Sequence, residues 1–232
     1  EVSRAIDAVA RDARFAPLLD LNKVGVVGQS AGGHTALTRA VEGAEDHPEA
    51  AATDLAAVQL RAADVLVGIA TSGRTPYVLG GLDYARSVGA YTIGLACNRD
   101  SVLRTRADVS IIPVVGPEVL SGSTRMKAGT AQKIVLNLFS TMAMVRLGKV
   151  YRGLMVHMRP TNAKLRNRAA QMVVTIVGCD QQTASNAMVQ ADCDVKLAVL
   201  LASGVDIAVA TSALAKHDGN LRFALAEVTP RQ

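Results

Sequence analysis

Two hydroxyl-rich loops are the parts of this sequence best suited to hold an anion. The first places two hydroxyl groups, a glycine and a guanidinium in succession: Thr71, Ser72, Gly73 and Arg74. Thr75 and Pro76 follow with the N-cap and first-turn pattern of a helix, whose free backbone N–H groups and dipole attract negative charge. The loop therefore predicts a phosphate site, with an ordinary capped turn between a strand and a helix as the alternative.

A second loop of the same kind precedes the longest helical segment of the chain. It would add three hydroxyl groups to the predicted anion site, from Ser121, Ser123 and Thr124. One such loop is common, because Ser and Thr are frequent helix N-caps, but two loops at neighbouring strand ends occur less often by chance. Together the two loops favour a site for a small phosphorylated ligand.

A cluster of carboxylates and a separate serine are the candidate catalytic groups. Glu42, Glu45 and Asp46 follow one another closely at the end of a helical segment, where they oppose the helix dipole. They are either solvated surface residues or functional groups. Ser30 stands in the run GQSAG, which has the G-x-S-x-G spacing of a serine-hydrolase nucleophile elbow. The histidines that follow have no recognisable triad context, so an esterase using Ser30 is the less favoured hypothesis.

An alternation of strands and helices must position these groups. Apolar runs predict buried strands at Lys23–Val27, Asp64–Ala70, Tyr91–Cys97 and Val109–Val114. Helical patterns follow at about Thr75–Ser87 and Thr124–Leu147. This order predicts an α/β fold with a doubly wound parallel sheet, which binds ligands at the carboxyl ends of its strands. Both hydroxyl-rich loops would then lie at that edge of the sheet.

The C-terminal part of the chain has a different character. A helix is predicted at Thr161–Val177, and short amphipathic segments come after it. Aspartates stand near the predicted helix starts and glycines near the ends: Asp180, Asp194, Asp218, Gly204 and Gly219. This pattern predicts a small helical bundle.

Composition narrows the classes of function. The chain has 232 residues, 50% of them hydrophobic and 3% aromatic, so it can bury one principal core of small aliphatic side chains. Its net charge of +5 is scattered, which argues against a nucleic-acid surface. The three cysteines lack the spacing of a metal or redox motif and indicate a reduced, cytoplasmic setting. The longest apolar stretch is interrupted by polar residues, which argues against a membrane span.

Residues 31–225 resemble the N-acetylmuramic acid 6-phosphate etherases and, more distantly, the glucokinase regulatory proteins. The sheet region carries this similarity in AGGHTALTRAVEGAED (31–46), DVLVGIATSGRTPYVLGGLDYAR (64–86), GPEVLSGSTRMKAGTAQK (116–133) and GLMVHMRPTNAKL (153–165). The tail carries it in DVKLAVLLASGVD (194–206) and HDGNLRFAL (217–225). The resemblance implies a sugar isomerase domain at residues 23–160 and a helical tail at 161–232 that ends in a ubiquitin-associated-like bundle.

The resemblance also implies an activity. Family members cleave the D-lactyl ether of the 6-phosphorylated amino sugar, giving N-acetylglucosamine 6-phosphate and D-lactate in peptidoglycan recycling, and they work as dimers without a metal. The loops around Ser72 and Ser123 would bind phosphate and sugar hydroxyls, and Glu45 matches one of the family's two catalytic glutamates. We therefore expect a cytoplasmic homodimeric lyase that needs no cofactor. A non-catalytic sugar-phosphate-binding module is the alternative.

The first residues depart from the family pattern. Residues 1–22 form a leader, and the chain up to about residue 37 resembles a dienelactone hydrolase-like α/β hydrolase. This leader is too short for the family's first hydroxyl-rich loop and second catalytic glutamate. The sequence therefore predicts a chimera joined near residues 30–33, with a sheet domain that is incomplete at its N-terminus and with impaired lyase activity.

Overall fold

The computed structural model of the chain describes residues 24–27 and 43–228. Contacts between residues divide the chain into two compact units, Glu1–Met142 and Ala143–Gln232. The first unit contains the sheet, and the second contains the helices of the C-terminal tail.

Among the described residues, a four-stranded parallel sheet forms the centre of the first unit. Its strands are β1 (Val24–Val27), β2 (Val65–Ile69), β3 (Tyr91–Leu95) and β4 (Val109–Ile111), and they lie in that order across the sheet. The predicted parallel sheet is confirmed, although β2, β3 and β4 end one to three residues earlier than the apolar runs suggested. The residues that follow β2 and β3 belong to the loops that carry the candidate site.

The helices of the first unit alternate with its strands. In the part of the chain that the structure describes, a 3-10 helix at Ala44–Asp46 is followed by α1 (Pro48–Ala57), α2 (Pro76–Ser87), α3 (Leu103–Arg106) and α4 (Lys127–Arg146). The predicted start of α2 is confirmed, since a proline in the first turn loses no intrahelical hydrogen bond. The four-residue helix α3 was not predicted, because it is too short to show a period.

Both faces of the sheet are covered by helices. On one face Leu66 of β2 packs with Leu55 of α1 and with Leu82 of α2. On the other face Val67 of β2 packs with Val135 of α4. Neighbouring residues of β2 thus point to opposite helical layers, and each fully buried aliphatic side chain contributes about 1.5–3 kcal/mol to stability.

Five helices follow in the second unit: α5 (Ala163–Val177), α6 (Gln181–Gln190), α7 (Val195–Ala202), α8 (Ile207–Lys216) and α9 (Leu221–Val228). The side chains of Asp180, Asp194 and Asp206 cap α6, α7 and α8 by accepting backbone N–H groups. Asn220, rather than Asp218, accepts the N–H of Arg222 in the first turn of α9. Two of the predicted aspartate caps are therefore confirmed, and Asp206 was missed.

The tail helices surround one apolar core, which confirms the predicted bundle. Val173, Val199, Leu200 and Leu221 are each at most 1% exposed within it. Within the described ranges, no helix has both the length and the apolar character that a membrane span requires.

Candidate functional site

The loop Thr71–Arg74 is a tight turn at the carboxyl end of β2. Gly73, with a φ of 67°, donates its N–H to the carbonyl of Ala70 at 3.0 Å. The Arg74 N–H donates to Ser72 Oγ at 3.2 Å. The loop leads directly into the first turn of α2, where the positive end of the helix dipole lies. The loop therefore has the strand end and the helix start that the sequence predicted, and its binding of an anion stays a prediction.

The end of the next strand and the start of α4 lie beside this loop. Cys97, which follows β3, donates its N–H to the carbonyl of Thr71 at 3.0 Å, and its Sγ lies 3.9 Å from the carbonyl of Ala128. Gln132 Nε2 donates to Thr71 Oγ1 at 3.1 Å. Gln132 was missed by sequence reasoning, although its position one turn after the buried Ala128 indicates the same inward face of α4.

Glu118 caps the N-terminus of α4. Its Oε1 accepts the N–H groups of Lys127 at 3.1 Å and Ala128 at 3.0 Å, and its Oε2 also accepts from Lys127 at 3.0 Å. The hydrogen bond from Ala128, and after it the one from Lys127, holds the pKa of the Glu118 carboxyl below its usual value. The Glu118 carboxylate thus occupies the position at the N-terminus of α4 where an anion could bind. The helix begins at Lys127 and not at the predicted Thr124.

The second hydroxyl-rich loop precedes α4 without capping it. Ser121 and Thr124 are exposed, and Ser123 is half-buried. Ser123 Oγ accepts a long 3.5 Å hydrogen bond from the Arg125 N–H. These hydroxyl groups are therefore left largely to solvent, and their part in a phosphate site stays a prediction.

Glu45 lies in the 3-10 helix between Gly43 and α1, and its side chain is exposed. This 3-10 helix contacts α2, the helix that begins after the Thr71–Arg74 loop. Glu42, the Ser30 motif and the predicted leader lie outside the described residues. Among those that are described, no group of three or more His, Cys, Asp and Glu side chains could hold a metal ion.

The Glu118 cap predicts a pH-dependent loss of stability in Glu118→Gln. The folded-state pKa of Glu118 is lowered from 4.5, so its contribution to stability is fully present above that pH and is lost as the pH falls through the lower folded-state value. We expect Glu118→Gln to melt at a lower temperature than the unchanged chain at pH 7, and the difference to shrink at pH 3. Melting curves followed by circular dichroism measure this, and a difference independent of pH would contradict it.

Comparison with known proteins decides the family. An N-acetylmuramic acid 6-phosphate etherase of Salmonella schwarzengrund is 54% identical over 201 residues, which cover 86% of this chain and 68% of the relative. One from Rhodopirellula baltica is 55% identical over 202 residues, covering 87% of this chain and 67% of the relative. The chain belongs to the N-acetylmuramic acid 6-phosphate etherase family. This confirms the family resemblance seen in the sequence.

A family model adds the fold of the N-terminal part. Residues 8–86 match the glucokinase regulatory protein N-terminal SIS domain, where SIS denotes the sugar isomerase fold. The match includes the Thr71–Arg74 loop and begins inside the segment that was interpreted as a leader. This match supports the predicted sugar isomerase fold around the loop.

Proposed function

We propose that this chain is a carbon–oxygen lyase that acts on N-acetylmuramic acid 6-phosphate. The observation that carries the proposal is the 54% identity to etherases over 86% of the chain. The tight Thr71–Arg74 turn at a strand end, beside a helix N-terminus, fits the phosphate of such a phosphorylated amino sugar. The products would be N-acetylglucosamine 6-phosphate and D-lactate.

The proposed reaction is an elimination followed by the addition of water. A base removes the proton on the carbon next to the sugar aldehyde, and the electron pair left behind forms a double bond as the lactyl oxygen leaves the neighbouring carbon. The leaving oxygen takes up a proton, and water then adds to the double bond. Each step needs a positioned acid or base, and we assign one such role to Glu45 from its match to a family catalytic glutamate.

Two measurements separate this proposal from a non-catalytic binding module. Isothermal calorimetry with N-acetylglucosamine 6-phosphate reports binding, and a D-lactate assay with N-acetylmuramic acid 6-phosphate reports cleavage. Binding together with lactate release supports the lyase. Binding without lactate would favour the module, and the absence of both would contradict the proposal.

We expect Ser72→Ala and Ser123→Ala each to weaken binding of N-acetylglucosamine 6-phosphate by about tenfold. A hydrogen bond to a charged phosphate contributes on the order of 1.5–3 kcal/mol, and neither hydroxyl is part of the buried core. Calorimetry measures the affinity, and the melting temperature should fall only slightly, because each variant loses one exposed local hydrogen bond. The matched control is Ser87→Ala at the opposite end of α2, where the hydroxyl donates to the Tyr84 carbonyl. Unchanged affinity in both test variants would mean that these serines serve only the local turns.

We also propose that the chain works as a homodimer in the cytoplasm. Ile134 and Leu138 lie one turn apart on α4 and are 50% and 43% exposed, as expected of a face that a second copy covers. The location is supported by three free cysteines, Cys97, Cys179 and Cys193.

Leu138→Glu is expected to convert this dimer into monomers without unfolding the chain. A carboxylate on this apolar face would lose its hydration in the dimer, whereas it stays hydrated in a monomer. Size-exclusion chromatography with light scattering measures the mass. Asn137→Glu, at the adjacent exposed position of α4, is the control and should leave the mass unchanged. If the chain without any substitution has the mass of a monomer, the proposed dimer is contradicted.

A further inference from the structure

Ser101, in the loop between β3 and α3, has a buried hydroxyl group without a hydrogen-bond partner. The residue is 5% exposed, and its Oγ is enclosed with no donor or acceptor in reach among the described residues. Buried polar atoms are almost always paired, because an unpaired one loses its bonds to water without replacement. This unpaired hydroxyl therefore requires an explanation.

The hydroxyl lies against the backbone of Gly73 in the candidate phosphate loop. A Cβ atom added to Gly73 would meet Ser101 Cβ at 2.2 Å and Ser101 Oγ at 2.8 Å. The backbone of the same segment also bonds to this loop, because the Leu103 N–H donates to the carbonyl of Gly73 at 3.0 Å. The segment that carries Ser101 therefore supports the turn of the Thr71–Arg74 loop directly.

Packing alone does not account for a serine at this position. Alanine would present the same β-carbon to Gly73 without burying a polar atom. Among the described residues, Asp64 Oδ1 is the other buried side-chain atom without a partner, but Asp64 Oδ2 accepts the Arg61 N–H at 2.8 Å. The side chain of Ser101 has a single oxygen, so all of that side chain's hydrogen-bonding capacity is unused in the ligand-free chain, although the Ser101 backbone carbonyl accepts the Arg104 N–H at 3.2 Å.

We propose that Ser101 is a positioning residue for sugar-phosphate binding: its hydroxyl bonds to a backbone group of the Thr71–Arg74 loop when a phosphorylated sugar occupies that loop. The inference rests on the proposed function, which places the phosphate at this turn. Because the hydroxyl gains its hydrogen-bond partner only in the bound state, it destabilises the free protein and stabilises the complex. Ser101 thereby adds to affinity without touching the reacting atoms.

Ser101→Ala should therefore change stability and affinity in opposite directions. Without ligand, the variant melts at the same temperature as the unchanged chain or higher, because an unpaired buried hydroxyl has been removed. Its affinity for N-acetylglucosamine 6-phosphate, measured by calorimetry, falls about three- to tenfold, the range expected for one hydrogen bond. In turnover the KM for N-acetylmuramic acid 6-phosphate rises while kcat stays the same. A merely structural serine would lower the melting temperature and leave the affinity unchanged.

Ser110→Ala is the matched control. Ser110 lies in β4 and is half-buried, and its Oγ donates to the Arg104 carbonyl at 3.0 Å in the free protein. Its removal breaks a bond that already exists, so we expect a lower melting temperature and unchanged affinity. The two serine variants should thus show opposite patterns.

The outcomes distinguish this inference from the proposed function. If the unchanged chain binds the sugar phosphate and Ser101→Ala binds it equally well, the role of Ser101 is overturned and the proposed function stands. A lower melting temperature of ligand-free Ser101→Ala also overturns it, because the hydroxyl would then be bonded before any ligand arrives. If the unchanged chain binds no sugar phosphate, the proposed function fails first, and this inference fails with it.

Discussion

The Glu45→Gln variant is expected to release D-lactate about a hundredfold to ten-thousandfold more slowly than the unchanged chain. A positioned acid or base contributes a factor of that size, and glutamine keeps the shape of the side chain while it cannot accept the substrate proton. Glu45 is exposed in its 3-10 helix, so the substitution should not disturb the core. Binding of N-acetylglucosamine 6-phosphate should stay unchanged.

Two readouts and one control make this test specific. D-lactate release reports the complete reaction, and incorporation of solvent deuterium into the sugar reports the proton transfer alone. Glu49→Gln is the control, because Glu49 lies four residues further on, its side chain is 73% exposed, and its carboxylate contacts the ring of the neighbouring His47 at 3.1 Å. Equal activity of Glu45→Gln and the unchanged chain would contradict the assignment. Inactivity of both would leave the sugar-phosphate-binding module as the function.

Gly80→Ala is expected to lower the free energy of unfolding by about 2–3 kcal/mol. Gly80 lies where α2 crosses the start of α1, and a Cβ atom there would come within 2.3 Å of the Pro48 carbonyl oxygen. Backbone atoms cannot rotate away as a side chain can, so the two helices would have to separate. This crossing also carries the bond from the Tyr77 hydroxyl to Asp54 Oδ2 at 2.7 Å.

The adjacent glycine gives the opposite expectation. A Cβ atom on Gly81 would have its nearest neighbour at 3.6 Å, an ordinary contact distance. Gly81→Ala should therefore stabilise the chain by about 0.5–1 kcal/mol, because alanine loses less backbone entropy in a helix. Urea unfolding followed by circular dichroism compares the two variants. Equal effects at both positions would show that α1 and α2 do not approach as closely as described.

The elements of the fold were predictable where the sequence carries a local signal. The apolar run of β2 and the Thr75-Pro76 start of α2 are both set by neighbouring residues, and both predictions are confirmed. The start of α4 was misplaced because its cap, Glu118, comes nine residues before the helix. No rule of local spacing reaches that far, since ordinary N-caps act within three residues.

The candidate site was predictable only in part, for the same reason. The Thr71–Arg74 loop could be found from its composition and from the proline that follows. Gln132 and Ser101 reach this loop only after separate strands and helices have come together, so their sequence neighbours do not reveal them. The family resemblance placed the chain correctly, but it did not identify these two supporting side chains.

The two units differ in how far apart in sequence their contacting residues lie, and this affects how fast each unit folds. In the tail, each helix from α5 to α9 contacts the next one along the chain, and such local contacts form quickly. In the sheet, Val24 pairs with Val65 and Val65 with Tyr91, so each pairing must close a long loop first. We therefore expect the tail to fold before the sheet. Until the sheet has paired, the apolar strands β2 and β3 are the segments most exposed to aggregation.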